Sequence, residues 1–332
     1  MHIETIWRSL QTRGDIPILA PFSFLYGILI RLHHFVYTNG WRHSKKLPIP
    51  VISIGNITAG GCGKTPFTHM LARLLAEKNQ VAILSRGYRA TKKHKDPFLA
   101  KDPTSGDEAY LLKSKLPQVQ VWVGKNRAKA AERAQNAGAT IILLDDGMQQ
   151  KSLAKDVNIV LVDAKEPLNH LLPRGSLRDF PKQLENADLL VITHANTEPL
   201  FESIKTTLRK YSKAPFVRVS MAAHADIDLS GKRIGAFCGI AKPHHFFHML
   251  SSLGAHLVHT TIAPDHKLPP LELFAKQSLD LGATHLVCTE KDRIKIPSDL
   301  KLPLPLVTLS IDMQVTEGQL ALDTLIHRYT HG

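Results

Sequence analysis

A glycine-rich turn carries the residues of this 332-residue chain whose types and spacing most clearly predict chemistry. It follows an apolar strand over 51–54 and reads Gly-Asn-Ile-Thr-Ala-Gly-Gly-Cys-Gly-Lys-Thr at 55–65. A helix comes next, because apolar residues recur at helical spacing from Phe67 to Leu75. Between a buried strand and a helix, such a turn directs several backbone N–H groups at one point, and the helix dipole strengthens their attraction for an anion. The turn therefore predicts a phosphate-binding loop.

Two side chains at the end of this loop extend the prediction to a nucleoside triphosphate. In loops that end Gly-Lys-Thr, the lysine reaches the β- and γ-phosphates and the hydroxyl binds Mg²⁺, roles that fall here on Lys64 and Thr65. Thr58 replaces the first glycine of the usual pattern. An ordinary strand-to-helix turn is the alternative, which the Gly-Lys-Thr sequence disfavours. The predicted nucleotide-binding residues are Thr58, Ala59, Gly60, Gly61, Cys62, Gly63, Lys64 and Thr65.

Acidic residues at two further positions could complete a phosphoryl-transfer site. The apolar strand over 140–144 ends in Asp145 and Asp146, and an acid at the tip of a strand beside a phosphate loop helps to hold Mg²⁺. A strand-ending Asp-Gly turn without a metal is the alternative. Asp107 stands where a loop enters a helix, a suitable place for a base that accepts a proton from an attacking hydroxyl. Its neighbour Glu108 could equally cap that helix.

Arginines occur in loops between the predicted elements, where a fixed guanidinium suits phosphate oxygens. Arg86 follows the second strand, Arg127 follows a later one, and Arg174 and Arg178 share one loop. Any one of them could instead be the partner of a surface acid. Arg86 is the stronger candidate because its strand belongs to the predicted nucleotide-binding sheet.

The order of the elements predicts an α/β fold. Strand-like runs alternate with helical stretches, as in a mostly parallel sheet covered on both faces. The runs fall at 51–54, 81–85, 119–123, 140–144, 158–162, 189–193, 216–219, 233–239, 256–261 and 285–289. A small, polar segment at 220–232 suggests a hinge, so we predict a P-loop NTPase domain over 41–222 and a smaller C-terminal α/β domain over 223–332 that closes over a cleft. In that domain Asp265 and His266 could form an orienting pair, although one histidine among 18 is usually structural.

The formal net charge of +13 indicates an acidic partner: nucleic acid, anionic lipid or a phosphorylated substrate. The segment 16–30 lacks charged residues, but it is shorter than the roughly 20 residues that span a bilayer. Basic residues together with Trp7 and Trp41 flank it, as in helices that lie in the headgroup interface. We therefore predict a membrane-interface helix within 1–40; a helix buried against the protein's own core is the alternative. Three cysteines without paired spacing are typical of a reducing cytosol.

A series of motifs occurs in fixed order along nearly the whole chain. They span Gly55 to Pro66, Ser85 to Tyr88, Gly106 to Ala109, Asp145 to Gln149, Leu172 to Arg178, Gly239 to Pro243, Asp265 to His266 and Thr289 to Asp292. The series resembles the tetraacyldisaccharide 4′-kinases of lipid A biosynthesis and is far more specific than a phosphate loop alone. The resemblance includes Thr58 in the phosphate loop.

The resemblance implies an enzyme that uses ATP and Mg²⁺ to phosphorylate the 4′-hydroxyl of an acylated glucosamine disaccharide 1-phosphate, forming lipid IVA. It also implies a peripheral or monotopic protein on the cytoplasmic face of the bacterial inner membrane. Asp107 would be the catalytic base, with His266 as its partner. By matched motifs, catalysis falls to Asp107, His266, Lys64, Arg127 and Arg178, and metal binding to Thr65, Asp145 and Asp146.

Two positions depart from the pattern of the family. Met148 stands where an aromatic is usual and Lys267 where a second histidine is common, but neither change removes a reacting group.

Two other functions are alternatives. A nucleic-acid-dependent NTPase would need a recognisable binding module or aromatic surface, and the sequence offers none. A membrane-recruited regulatory ATPase would leave Asp107 and His266 without a role. The predicted partners are therefore the lipid disaccharide and the membrane surface, with no nucleic acid and no evident protein partner.

Overall fold

One twelve-stranded sheet runs through the molecule. The computed structural model describes residues 16–59, 61–87, 96–166, 168–240, 243–264, 267–297 and 299–330. The strands are β1 (Val51–Asn56), β2 (Val81–Ser85), β3 (Phe98–Leu99), β4 (Gln120–Val123), β5 (Ile141–Asp145), β6 (Val157–Asp163), β7 (Leu189–Thr193), β8 (Phe216–Ala225), β9 (Arg233–Cys238), β10 (His256–Ile262), β11 (His285–Thr289) and β12 (Leu306–Glu317). The helices are α1 (Ala20–Thr38), α2 (Lys64–Leu75), α3 (Asp107–Lys115), α4 (Arg127–Asn136), α5 (Glu198–Leu208), α6 (Pro243–Ser252), α7 (Leu271–Asp280), α8 (Glu290–Arg293) and α9 (Gln319–Thr330).

The sheet confirms the predicted α/β class. Its strand order is β10-β9-β11-β12-β8-β7-β6-β1-β5-β2-β4-β3. Neighbouring strands are parallel except where β8 pairs with β12 and β3 pairs with β4. β1, β2, β5 and β7 are buried along their whole length, because helices cover both faces of a parallel sheet. β1 lies between β5 and β6, so the loop that leaves β1 opens in the interior of the sheet and not at an edge strand.

Apolar side chains pack differently on the two faces around β1. On one face Phe67 and Leu71 of α2 join Ile52 in a buried cluster. On the other face α4 presents the small side chains of Ala130 and Ala134, which allow a helix to approach the sheet closely. Burying one large apolar side chain is worth about 1.5–3 kcal/mol. This packing fixes both helices whose first residues, Lys64 and Arg127, were predicted to act in the site.

A two-stranded ribbon joins the two halves of the chain. β8 and β12 run antiparallel over most of their length, with Met221 opposite Met313. The segment 220–232 that suggested a hinge is therefore strand as far as Ala225. α9, although last in the chain, contributes Leu322 to the cluster that also contains β1 and α2 side chains. The division into 41–222 and 223–332 stays a prediction, since the sheet continues through that boundary.

The N-terminal helix α1 exposes its large apolar side chains. Among those exposed are Phe22, Phe24, Leu25, Ile28, Leu29, Leu32 and Phe35. Its buried residues are Ser23 and Gly27. Together with the turn before it, the helical segment Pro17–Thr38 has 22 residues, so by length and composition it could also cross a membrane. The structure thus disfavours the alternative of a helix buried in the protein's own core.

Candidate active site

The phosphate loop turns sharply at Gly63, the residue that precedes α2. Its φ of +87° lies in the left-handed region that favours glycine. A Cβ added there would also lie 2.8 Å from Met221 Cε and 3.0 Å from Met313 Cε, both on the β8–β12 ribbon. Glycine is therefore required at this point, and the turn brings Lys64 and Thr65 into the first turn of the helix.

Lys64 reaches back across the loop to the strand that precedes it. Its Nζ donates a hydrogen bond of 3.0 Å to Asn56 Oδ1 and lies 3.5 Å from Asp146 Oδ1. Asn56 is fully buried and donates in turn to the carbonyl of Thr58 at 2.7 Å. The ammonium group is thus held above the loop, where the sequence pattern places phosphate oxygens.

Arg178 brings a second cation to the same carboxylate. Its Nη2 lies 2.8 Å from Asp146 Oδ1, and its Nη1 lies 3.2 Å from Asp146 Oδ2. Nη2 also donates to Asn56 Oδ1. Fixed two-pronged pairing of this kind is the geometry in which arginine recognises carboxylate and phosphate groups. Lys64 and Arg178, far apart in the chain, therefore share Asp146 and Asn56.

The backbone around Arg178 is attached to the phosphate loop itself. Arg178 N donates to Ile57 O at 2.7 Å, and Ala59 N donates to Ser176 O at 2.6 Å. Within the part of the chain that the structure describes, Ser176 Oγ and Arg178 Nε are buried without a hydrogen-bond partner. Buried polar atoms are normally satisfied, so these two groups mark a place where a ligand can bind.

Asp145 ends β5 beside the phosphate-loop strand, in register with Ile54. Thr68 Oγ1 lies 3.5 Å from its Oδ1, at the limit of a hydrogen bond. The next residue, Asp146, has a φ of 53°, so the chain turns at the end of the strand. Both carboxylates consequently lie at the carboxyl edge of the sheet next to Lys64.

The two aspartates have pKa values displaced in opposite directions. Burial, reinforced by the negative charges of Glu108 and Asp146, raises the pKa of Asp145 to about 6. Burial acts upward on Asp146 as well, but hydrogen bonds and positive charge from Arg178 and Lys64 outweigh it and lower its pKa to about 2. The charge of Asp146 is therefore already balanced by Arg178 and Lys64. A further cation would stabilise the ionised form of Asp145.

Arg127 lies next to the acidic pair Asp145 and Asp146. It is 4% exposed, and burial lowers the pKa of its guanidinium to about 10. Nη1 donates to Gly124 O at 2.9 Å, and Nη2 donates to Asp145 O at 3.4 Å. In this arrangement Arg127 fixes the backbone that presents Asp145, while its predicted contact with phosphate stays a prediction.

Asp107 begins α3, as predicted, and it meets a residue that sequence reasoning missed. Lys295 Nζ lies 3.3 Å from Asp107 Oδ2 and 3.2 Å from Asp292 Oδ1. Beside it, Lys291 donates to Glu108 Oε1 at 3.0 Å. The start of α3 is therefore tied to the segment around α8 in the C-terminal half of the chain.

The buried carboxylate of Asp292 organises that segment. Its Oδ2 accepts hydrogen bonds from Thr289 Oγ1 at 2.7 Å and from Gly239 N at 3.0 Å. A Cβ added at Gly239 would clash with the carbonyl of Lys267 and lie 3.2 Å from that of Pro264. The chain on either side of 265–266 thus packs beside the ion pair that contains Asp107.

Two predicted site residues, Gly60 and His266, lie outside the described residues, so their predicted roles rest on the sequence. The others lie around the carboxyl ends of β1 and β5, except that Asp107 stands at the start of α3. Among the loop residues, Thr58 is paired with Leu177 and Cys62 is a buried thiol whose pKa burial raises. The sequence analysis did not predict that Asn56, Asp292 and Lys295 belong to the site. Asn56 and Asp292 do lie within the motifs at 55–66 and 289–292, so their positions in those motifs could have indicated a role.

Comparisons with known proteins show what the whole chain is similar to. A sequence model described as tetraacyldisaccharide-1-P 4′-kinase matches residues 16–330. Curated proteins named tetraacyldisaccharide 4′-kinase are similar: one from Desulfatibacillum aliphaticivorans is 32% identical, covering 96% of this chain and 95% of its own. One from Pelobacter propionicus is 36% identical over 89% of each chain. The crystal structure of LpxK from Aquifex aeolicus in complex with ATP has a TM-score of 0.76 and 30% identity, covering 94% of this chain and 98% of its own.

Proposed function

We infer the reaction of this site from one premise: the chain belongs to the tetraacyldisaccharide-1-P 4′-kinase family. It uses ATP to phosphorylate the 4′-hydroxyl of a tetraacyldisaccharide 1-phosphate, forming lipid IVA in lipid A biosynthesis. The observation that carries this conclusion is the convergence of Lys64 and Arg178 on Asp146 at the phosphate loop. The cluster of these two cations with Asp146 carries a net positive charge, which suits phosphate oxygens.

Lys64 and Arg178 are the groups that we assign to the transferring phosphoryl group. Asp146 and Asn56 hold both cations before nucleotide binds, so little reorganisation is needed as charge develops. The buried donors Ser176 Oγ and Arg178 Nε, on the same segment, have hydrogen-bonding capacity that the described residues do not use. Removing one preorganised donor from such a site costs about a hundredfold or more in turnover.

The residues present fit a magnesium ion. Mg²⁺ prefers oxygen ligands, usually one or two carboxylates together with substrate phosphates. The Thr65 hydroxyl, in the first turn of α2, and the carboxylate of Asp145 are oxygen ligands, and burial together with the negative charges of Glu108 and Asp146 raises the pKa of Asp145. When bound, the ion would neutralise charge on the β- and γ-phosphates. We assign Thr65, Asp145 and Asp146 to this site, with Asp145 as the acid that has no strong cationic partner among its described contacts.

Asp107 is the proposed acceptor of the proton from the 4′-hydroxyl. As that proton leaves, the hydroxyl oxygen bonds to the γ-phosphorus and the bond to the bridging oxygen of ADP breaks. His266 is the proposed partner of Asp107. Pro264 and Lys267 lie next to Gly239, whose N–H donates to Asp292, and Asp292 shares Lys295 with Asp107; this chain of contacts supports the assignment. Lys295 and Asp292 hold the two halves of the chain together at this point.

We propose that α1 binds the cytoplasmic face of the inner membrane, where the acylated substrate resides. Its apolar side chains are exposed, and Arg31 and Arg42 lie within or just beyond the helix. An apolar helix face with cationic residues nearby binds anionic lipid surfaces. The lipid chains of the substrate can then stay in the bilayer while its sugar reaches the site.

ATP turnover with and without the lipid disaccharide in detergent micelles tests the proposed function. We expect ADP formation to depend on the disaccharide, on Mg²⁺ and on Lys64. Lys64→Ala should lower turnover by at least about a hundredfold, whereas Lys78→Ala, at an exposed position beyond the end of the same helix, should leave it unchanged. Equal ATP turnover without the disaccharide would instead favour a regulatory ATPase.

A further inference from the structure

α1 presents two faces of different composition. One face carries the exposed apolar residues Phe22, Leu25, Ile28, Leu29 and Leu32. The opposite face carries Ser23, Tyr26, Gly27, Arg31 and His34, which recur every three or four residues. This second face contacts the segment 171–180, so we call it the docking face.

Hydrogen bonds join the first half of the docking face to that segment. Ser23 Oγ donates to Leu171 O and accepts from Arg174 N, each at 2.8 Å. Tyr26 OH donates to Arg178 O at 3.1 Å. Gly27 allows the close approach, because a Cβ there would lie 3.1 Å from Leu171 Cδ1.

A hydrogen bond between a histidine and a buried carboxylate joins the second half. His34 Nε2 lies 3.0 Å and 3.1 Å from the two carboxylate oxygens of Asp179, which is almost fully buried. Asp179 Oδ1 also accepts from Phe180 N at 2.8 Å. The Arg31 guanidinium lies 4.9 Å from the centre of the Phe180 ring. The residue after Arg178 is thus attached to α1 through its side chain.

The other side of this segment is attached to the phosphate loop. Backbone hydrogen bonds connect Arg178 to Ile57 and Ser176 to Ala59, and the side chain of Arg178 pairs with Asp146. One short segment is therefore held between α1 and the nucleotide site. Any displacement of α1 would act on the backbone of Arg178.

We propose that α1 is a positioning element for Arg178 as well as a lipid-binding helix, and that Ser23, Tyr26 and His34 are its positioning residues. The proposal rests on the proposed function, in which Arg178 binds the transferring phosphoryl group. Docking leaves a cavity of about 270 Å³ between α1 and the segment, lined in part by Phe24 and Arg174. The polar contacts of Ser23, Tyr26 and His34 hold the segment against the helix beside this opening.

The test uses full-length protein in detergent micelles with the lipid disaccharide as acceptor. Ser23→Ala, Tyr26→Phe and His34→Ala are combined, and Tyr26→Phe is also made alone because it removes one oxygen atom and preserves folding. The matched control for Tyr26→Phe is Tyr37→Phe, a tyrosine of the same helix whose ring contacts His33. We expect the docking variant to lower kcat about tenfold with little change in the KM for ATP, and the control to match wild type. Co-sedimentation with anionic vesicles should be unchanged, since the apolar face is intact.

A double-mutant cycle separates this role from general destabilisation. In an Arg178→Ala background, the docking substitutions should lower kcat no further, because residues that act through one group are non-additive. Multiplicative losses, or a docking variant with wild-type kcat, would overturn the proposal. Loss of vesicle binding with unchanged kcat would likewise overturn it, because these residues would then act in membrane binding and not in positioning Arg178. Full turnover by Arg178→Ala alone would show that Arg178 does not bind the transferring phosphoryl group. That result would contradict the proposed function, and the cycle separates it from a failure of the positioning role.

Discussion

Asp145 and Asp146 are neighbours in the chain that respond oppositely to the same site. Burial and the charge of Glu108 raise the pKa of Asp145 to about 6. For Asp146 burial is outweighed by Arg178 and Lys64, and its pKa falls to about 2. The turn at Asp146 produces this difference, because it directs one carboxylate to the cations and leaves the other beside Thr68. The pair thus supplies one group that anchors cations and one that is suited to receive a cation.

This relationship predicts stability changes of opposite sign for two matched substitutions. In an unfolded chain both aspartates have a pKa of about 3.9. The folded state therefore keeps a proton on Asp145 that the unfolded state releases as the pH rises from about 4 to 6, and stability falls across that window. Asp145→Asn should stabilise the nucleotide-free protein by about 2–3 kcal/mol at pH 7 and have little effect at pH 4.

For Asp146 the sign is reversed. Its folded pKa lies below the unfolded value, so its contribution is present above about pH 4 and is lost as the pH falls towards 2. Asp146→Asn should destabilise the protein by about 1–2 kcal/mol at pH 7. Urea unfolding of wild type and both variants at pH 7 and pH 4 measures these differences. Shifts of the same sign at pH 7 would contradict the assignment of separate environments.

The two glycines on either side of Cys62 should differ sharply in their tolerance of a methyl group. Gly63→Ala places a side chain at a φ of +87° and against Met221 and Met313. A Cβ at Gly61 meets nothing within 4 Å. Gly63→Ala should therefore weaken ATP binding at least about tenfold, chiefly because a side chain at this positive φ strains the loop backbone. Gly61→Ala should bind ATP nearly as well as wild type in a calorimetric titration; equal losses would mean that the positive φ at Gly63 does not constrain the loop.

The parts of the fold that local sequence could predict are those with local causes. The strand at 51–54, the glycine turn and the apolar spacing of α2 each specify their own conformation, and the structure follows them. Asp145 and Asp146 were predicted beside the loop because, in proteins with such a loop, an acid at the tip of a neighbouring strand helps to hold Mg²⁺. These features require no knowledge of distant contacts.

The parts that could not be predicted depend on residues far apart in the chain. The Asp107–Lys295 ion pair joins positions 188 residues apart, which no periodicity or motif spacing encodes. The pairing of His34 with Asp179 is of the same kind, and α1 looked like an apolar segment because its polar residues are few. β12 was missed because it pairs antiparallel with β8 and nine of its twelve residues stay at least partly exposed, which weakens the apolar signal.

The exposed face of α1 predicts which residues bind the membrane. Leu25, Leu29 and Leu32 lie on one side of the helix, and each is more than half exposed. Burying each in lipid is worth about 1.5–3 kcal/mol, so replacing all three by serine should lower vesicle affinity at least about a hundredfold. The KM for ATP should not change, because no contact joins this face to the described residues of the phosphate loop. Undiminished co-sedimentation with anionic vesicles would assign the anchor to another part of the chain.

Asp107 and His266 should act as one unit on the acceptor hydroxyl. Asp107→Ala should lower kcat far more than it weakens ATP binding, and His266→Ala should lower kcat as well. The double variant should be little worse than Asp107→Ala, since groups that act together are non-additive. Lys113→Ala, at the far end of the same helix α3, is the matched control. Fully multiplicative losses in this cycle would mean that the two residues act independently.

The position of the new phosphate tests the central claim most directly. Protein, Mg²⁺ and ATP labelled in its γ-phosphate are incubated with the tetraacyldisaccharide 1-phosphate in micelles, and the lipid product is analysed by mass spectrometry and phosphorus NMR. The account predicts one labelled phosphate per disaccharide, on the 4′-oxygen, and none when Lys64→Ala replaces the wild-type protein. Label released as inorganic phosphate at the wild-type rate of ADP formation, with no phosphorylated lipid, would contradict it.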